Sequence, residues 1–138
     1  MSRFLIYYVR EAALDILLVD DNPLMQQLMA RFLSELGYKI AVVGRTDEAI
    51  ELARTTPPLL FVIDMHLPDR DGPEALAALR TLPGCAKTPA IAMSGMDESS
   101  LRTSLGSDFV AYLSKPIDLD VFEEIVAAYV GNRRERSV

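Results

Sequence analysis

The sequence predicts an α/β fold, a doubly wound five-stranded parallel sheet with helices on both faces, and three observations predict it. Five short runs rich in Val, Ile and Leu recur along the chain, the gaps between them carry helical periodicity, and the runs do not alternate apolar with polar residues. Unalternating runs are buried on both faces, as strands are in a parallel sheet covered by helices. Strand and helix in alternation then give an α/β sandwich.

The runs are Ile16 to Val19, Ile40 to Val43, Leu59 to Ile63, Ala90 to Met93 and Phe109 to Leu113. Between the first two, Leu24, Met25, Leu28, Met29, Phe32, Leu33 and Leu36 recur at helical spacing and Gly37 supplies a stop. A second helix of about two turns is expected from Thr46, read as its cap, with Asp47 and Glu48 in the first turn and Pro57-Pro58 closing the segment. The third runs from Pro73 through Leu82, ended by Pro83-Gly84. In the fourth gap, Asp97 to Gly106, only Leu101 and Leu105 mark an apolar stripe, so this helix is expected to be short or mobile. The last follows Asp118 and carries Val121, Phe122, Ile125, Val126 and Tyr129 on one face until Gly131.

A chain of 138 residues lies within the range of one domain. Half its residues are apolar and 25% charged, a balance far from that of disordered chains. With a net charge of −6 and no basic run beyond Arg133-Arg134-Glu135-Arg136, direct nucleic-acid binding is not expected. Cys85 is the one cysteine, which excludes an internal disulfide and a thiolate zinc cluster and fits a reducing compartment such as the cytoplasm. No apolar stretch approaches the roughly 20 residues that cross a bilayer, and no signal peptide is apparent. The domain proper is expected over residues 14–130, with 1–13 an extension or the end of a preceding domain and 131–138 a tail.

Ligands of open parallel sheets bind beyond the carboxyl ends of the strands. The first run ends in Asp20-Asp21, the third in Asp64, the fourth in Ser94, and the fifth leads into Ser114-Lys115-Pro116. Three carboxylates at one edge repel one another unless a cation is bound. Hard oxygen ligands favour magnesium, or manganese, with Lys115 balancing charge. A metal, an ammonium and a hydroxyl around one carboxylate suit phosphoryl transfer to an aspartate nucleophile. Each residue has a plainer reading alone. Asp21 or Asn22 before Pro23 can cap the first helix, Asp64 can open a turn, Ser94-Gly95 is a common turn pair, and Lys115 can be a surface charge. Four strands delivering complementary groups to one edge carry the functional reading.

Leu17-Leu18-Val19-Asp20-Asp21-Asn22, Val62-Ile63-Asp64-Met65-His66-Leu67-Pro68-Asp69-Arg70-Asp71-Gly72, Ala92-Met93-Ser94-Gly95 and Leu113-Ser114-Lys115-Pro116 together resemble the receiver domain of bacterial two-component response regulators. The resemblance covers about Leu14 to Val130. It implies a flavodoxin-like fold with strand order 2-1-3-4-5 and a cis peptide before Pro116. It also implies that Asp64 accepts phosphate from a histidine kinase or histidine phosphotransfer protein. Asp20, Asp21, Asp64 and the His66 backbone carbonyl would serve Mg2+, and Lys115 would contact the phosphoryl group. Ser94 and Tyr112 would stand at the switch positions that transmit the state to a downstream effector. Tyr112 also reads as core packing, and His66 as a solvent-facing loop residue. A monomer or weak dimer is expected.

An aspartyl-phosphate phosphatase is the alternative of another class. Such enzymes carry a second aspartate two residues after the nucleophile, where His66 stands here. Ser2 to Val9 alternates like a strand and resembles the last strand of a histidine-kinase catalytic domain, so a receiver from a hybrid kinase and a free-standing regulator with an N-terminal extension both fit. The chain itself reads as a phosphoacceptor rather than a turnover enzyme, whereas a hybrid parent would be a kinase.

Overall fold

Six strands form one sheet in a computed structural model that describes Leu5, Ile6 and residues 14–132. In chain order the elements are β1 Leu5–Ile6, β2 Leu14–Val19, α1 Pro23–Glu35, β3 Ile40–Val43, α2 Thr46–Thr55, β4 Pro58–Asp64, α3 Gly72–Leu79, β5 Ala90–Ser94, α4 Glu98–Leu105, β6 Ala111–Ser114 and α5 Leu119–Val130. The sheet order is β1-β3-β2-β4-β5-β6, and every pairing from β3 to β6 is parallel. Those five parallel strands reproduce the expected order, second-first-third-fourth-fifth. The sixth is an addition: β1 lies antiparallel on the outer edge of β3, with Leu5 opposite Val42 and Ile6 opposite Ala41. The rest of the strand-like Ser2–Val9 stretch, the remainder of the 1–13 extension and the tail from Arg133 lie outside the described residues.

Alternate residues of the central strands feed two separate cores. Leu17, Val19, Phe61 and Ile63 face α2, α3 and α4 through Ala49, Leu76, Leu79 and Leu101. Ile16, Leu18, Leu60 and Val62 face α1 and α5 through Met29, Leu33, Phe122 and Val126. The strands are therefore buried on both sides, which is why their sequences do not alternate.

Several boundaries differ from expectation for identifiable reasons. Strand β6 begins at Ala111, not Phe109; Phe109 is buried in the core from the turn before it, so its apolar character reflects burial rather than pairing. Helix α3 ends at Leu79, with the chain from Arg80 to Leu82 continuing in turns. It starts under a capping box in which the Asp71 side chain accepts from Glu74 N and Glu74 reaches back to Asp71 N. Helix α2 is 10 residues long rather than about two turns, and Thr46 does not cap it. Arg45 holds the extended cap position, but its side chain bonds to Asp47 Oδ1 at 3.3 Å rather than capping the helix, and Thr46 is already helical. The cap comes from Asp69, whose carboxylate accepts from Thr46 N at 3.0 Å and Asp47 N at 3.1 Å. Helix α4 is formed over eight residues, with Leu101 its one fully buried side chain.

Candidate phosphoacceptor site

The parallel strands end together, so β2, β4, β5 and β6 deliver their terminal residues to one edge. Asp20 follows β2, Asp64 ends β4, Ser94 ends β5 and Lys115 follows β6. Registers that pair Val19 with Ile63, Asp64 with Met93 and Ser94 with Ser114 keep these ends level. Carboxylate oxygens of Asp20, Asp21 and Asp64 all lie within 4.8 Å of one another. Asp20 and Asp64 are buried, whereas Asp21 is exposed at the mouth.

The local chain explains the division of labour in the acidic pair. Asn22, not Asp21, caps α1: its side-chain oxygen accepts from Leu24 N at 2.9 Å and Met25 N at 3.0 Å, and Pro23 occupies the first turn. Asp20 Oδ1 accepts from Asn22 N at 2.9 Å, which orients the carboxylate and leaves Asp21 out of the cap. Gln26, one turn into α1, donates from Nε2 to the Asp20 carbonyl at 2.6 Å.

Lys115 Nζ donates to Asp64 Oδ2 at 3.0 Å and stands 3.5 Å from Asp20 Oδ2. The other Asp64 oxygen accepts from His66 N at 3.0 Å. Burial raises the pKa of Asp20, and the neighbouring Asp64 charge adds to this, against the Asn22 N–H bond and the Lys115 charge. For Lys115 burial works downward, but the hydrogen bond to Asp64 and the charges of Asp20 and Asp64 outweigh it and raise the pKa. Three carboxylates against one ammonium leave a surplus of negative charge in hard oxygen donors, a set that fits a small divalent cation. The peptide between Lys115 and Pro116 is cis, and Lys115 N donates to the Ser94 carbonyl at 2.8 Å.

Ser94 is fully buried, and its Oγ accepts from Met96 N at 3.1 Å. Ser114 Oγ donates to the Met96 carbonyl at 2.8 Å, so the loop after β5 is held from two sides. Tyr112 points inward, 4% exposed, with its hydroxyl donating to the Gly106 carbonyl at the end of α4. The Arg102 guanidinium lies over the Tyr112 ring, 4.8 Å from its centroid. The structure thus gathers Asp20, Asp21, Asp64 and Lys115 into one cluster, with Ser94 level on the next strand and Tyr112 beneath α4. Asp69, the α2 cap, was not among the residues singled out from sequence, because its partners lie 22 and 23 positions away.

Comparison with known proteins gives one consistent set of likenesses. The model of the response regulator receiver domain family matches residues 16–127. The polar-differentiation response regulator DivK of Brucella anthropi is 34% identical over 123 residues, 85% of this chain and 96% of DivK. The signal transduction histidine-protein kinase BarA of Escherichia coli K12 is 28% identical over 118 residues, 85% of this chain but only 13% of the kinase. Among solved structures, the receiver domain of sensor histidine kinase PA1611 from Pseudomonas aeruginosa PAO1 superposes with a TM-score of 0.76 at 28% identity, covering 87% of this chain and 99% of that one. That structure has a magnesium ion coordinated in the active site cleft.

Proposed function

Because this chain belongs to the response regulator receiver domain family of two-component signalling, we propose that Asp64 accepts a phosphoryl group from a phosphohistidine and that the chain works as a phosphorylation switch. In the transfer, an Asp64 carboxylate oxygen forms a bond to phosphorus while the phosphorus–nitrogen bond of the donor breaks, and the imidazole leaves with its electron pair and takes up a proton. The observation that carries this reading is the Lys115 ammonium 3.0 Å from Asp64 Oδ2 inside a cluster of three carboxylates. Lys115 neutralises the nucleophile's edge of the site and stays available to a phosphoryl oxygen. Asp20, Asp21, Asp64 and the His66 carbonyl are the residues that would hold Mg2+, which when bound offsets charge on the transferring group. Ser94 and Tyr112 would then answer the new charge, changing the surface around α4 and β6 for an effector.

Leu24 and Leu28 support a protein donor. They stand 77% and 50% exposed, one turn apart on α1 next to the acidic edge, and large apolar side chains so exposed suit a partner's surface. A histidine kinase or phosphotransfer protein is the donor the family supports.

The test is intact mass after incubation with MgCl2 and acetyl phosphate. Wild type should gain one phosphoryl group only with the metal, and Asp64→Asn should gain none. Absence of the adduct on wild type, together with no binding of beryllofluoride, would refute the proposal and leave a docking module.

A further inference from the structure

Helix α2 has no cap of its own. The Arg45 side chain, bonded to Asp47 Oδ1 at 3.3 Å, does not cap the helix, and the first two helical N–H groups are taken instead by Asp69, from the loop between β4 and α3. Arg45 Nη2 also approaches the same carboxylate at 4.0 Å. Burial alone would raise the pKa of Asp69, but the Thr46 and Asp47 N–H groups outweigh it and the pKa is lowered, so the carboxylate stays ionised on these donors.

Loop 65–71 is the segment that follows Asp64 and contains His66. Its base is closed by Gly72 N donating to the Met65 carbonyl at 3.1 Å and by the bridge between His66 and Asp71. Met65 packs so closely beneath Gly72 that a β-carbon there would collide with its side chain. Leu67 rests against the core shared by α2 and α3. The base and middle of the loop are thus anchored to β4, α3 and the core, and Asp69 is its polar tether to α2.

Resting on the reading of Asp64 as a magnesium-dependent phosphoacceptor, we propose that Asp69 is a positioning residue, which fixes the loop across to the N-terminus of α2 and so holds the His66 carbonyl where the metal needs it. Groups that orient a ligand without touching the metal govern affinity because each ligand must be held in place before the ion arrives. Asp69 does this through backbone donors that belong to a different βα unit, so the metal site and α2 are mechanically joined.

The experiment follows backbone amide shifts during MgCl2 titration of the full chain, for wild type, Asp69→Ala, Asp69→Asn and the double variant Asp69→Ala/Arg45→Ser, with urea denaturation of each. Arg45 has the extended backbone of a cap residue, so serine there can cap α2 locally and restore the helix without restoring the tether. Asp69→Ala should weaken Mg2+ binding about tenfold, the lower end for loss of an orienting partner. Asp69→Asn, which keeps one acceptor oxygen for this pair of donors, should fall between it and wild type. The double variant should recover stability but not Mg2+ affinity. Recovery of both would overturn the proposal and reduce Asp69 to a helix cap, as would unchanged affinity in Asp69→Ala. A wild type that binds no Mg2+ would instead overturn the reading of the site itself, and this proposal with it.

Discussion

Burial sets a conflict in Asp20 that magnesium would relieve. Its raised pKa means that the folded chain holds the Asp20 proton more tightly than the unfolded chain does. Ionised Asp20 therefore opposes folding, and its contribution worsens as pH rises from the unfolded value, near 3.8, through the higher native one. Asp20→Asn should match or exceed wild type in melting temperature in magnesium-free buffer, while MgCl2 should stabilise wild type and not the variant. Thermal melts with and without MgCl2 check both. Asp69 has the opposite sign. Its lowered pKa contributes stability above about 3.8 that is lost as pH falls through the native value. Asp69→Ala should thus cost about 1 kcal/mol at pH 7, the usual loss for a helix cap. The gap to wild type should narrow towards pH 3, as read by urea denaturation at both pH values.

Helix α4 is where packing is thinnest among the helices, and Tyr112 holds it at two points. The Tyr112 hydroxyl engages the Gly106 carbonyl at the C-cap, and its ring lies under Arg102, which Glu98 holds at 2.6 Å. The exposed Glu98–Arg102 pair contributes little by itself, whereas the cation over the ring is worth about 0.5–1 kcal/mol. Arg102→Ala should speed amide exchange in 98–105 by roughly two- to fivefold and leave the strands unchanged, as measured by hydrogen–deuterium exchange. The sparse apolar stripe of this segment was legible in the sequence, but the fastening from Tyr112 was not, since it depends on a contact made only after β6 joins the sheet. The same contrast holds elsewhere. The five buried runs declared the parallel sheet, and the clustering of the carboxylates with Lys115 was legible because parallel strands must end at a common edge. The cap on α2 was misread because Thr46 has the right chemistry for a cap while Arg45 has the cap backbone and Asp69 supplies the oxygen. Ser94 was legible as a hydroxyl at the end of its strand, but not its bond to Met96 N, which depends on side-chain orientation.

The whole molecule is two cores divided by a sheet, and the division has a thermodynamic signature. Ile63 lies in the core under α2, α3 and α4, and Ile40 in the core under α1 and α5, on strands separated by β2. Ile63→Val and Ile40→Val should each cost about 1 kcal/mol, and with no shared partners the double variant should cost about 2 kcal/mol. Chemical denaturation of the four proteins measures the sum, and a large departure from it would mean that strain passes through the sheet. Tyr38, two residues before β3, donates from its hydroxyl to the Gly131 carbonyl at 2.8 Å and so fastens the end of α5 to the side of the sheet away from Asp64. Antiparallel β1, by contrast, runs from the Val42 end of β3 towards Ala41, so of its two residues Leu5 is paired nearer the acidic end of the sheet. Gly131 is therefore a usable handle: a chip, bead or fluorophore attached there leaves the acidic edge around Asp64 facing the solution.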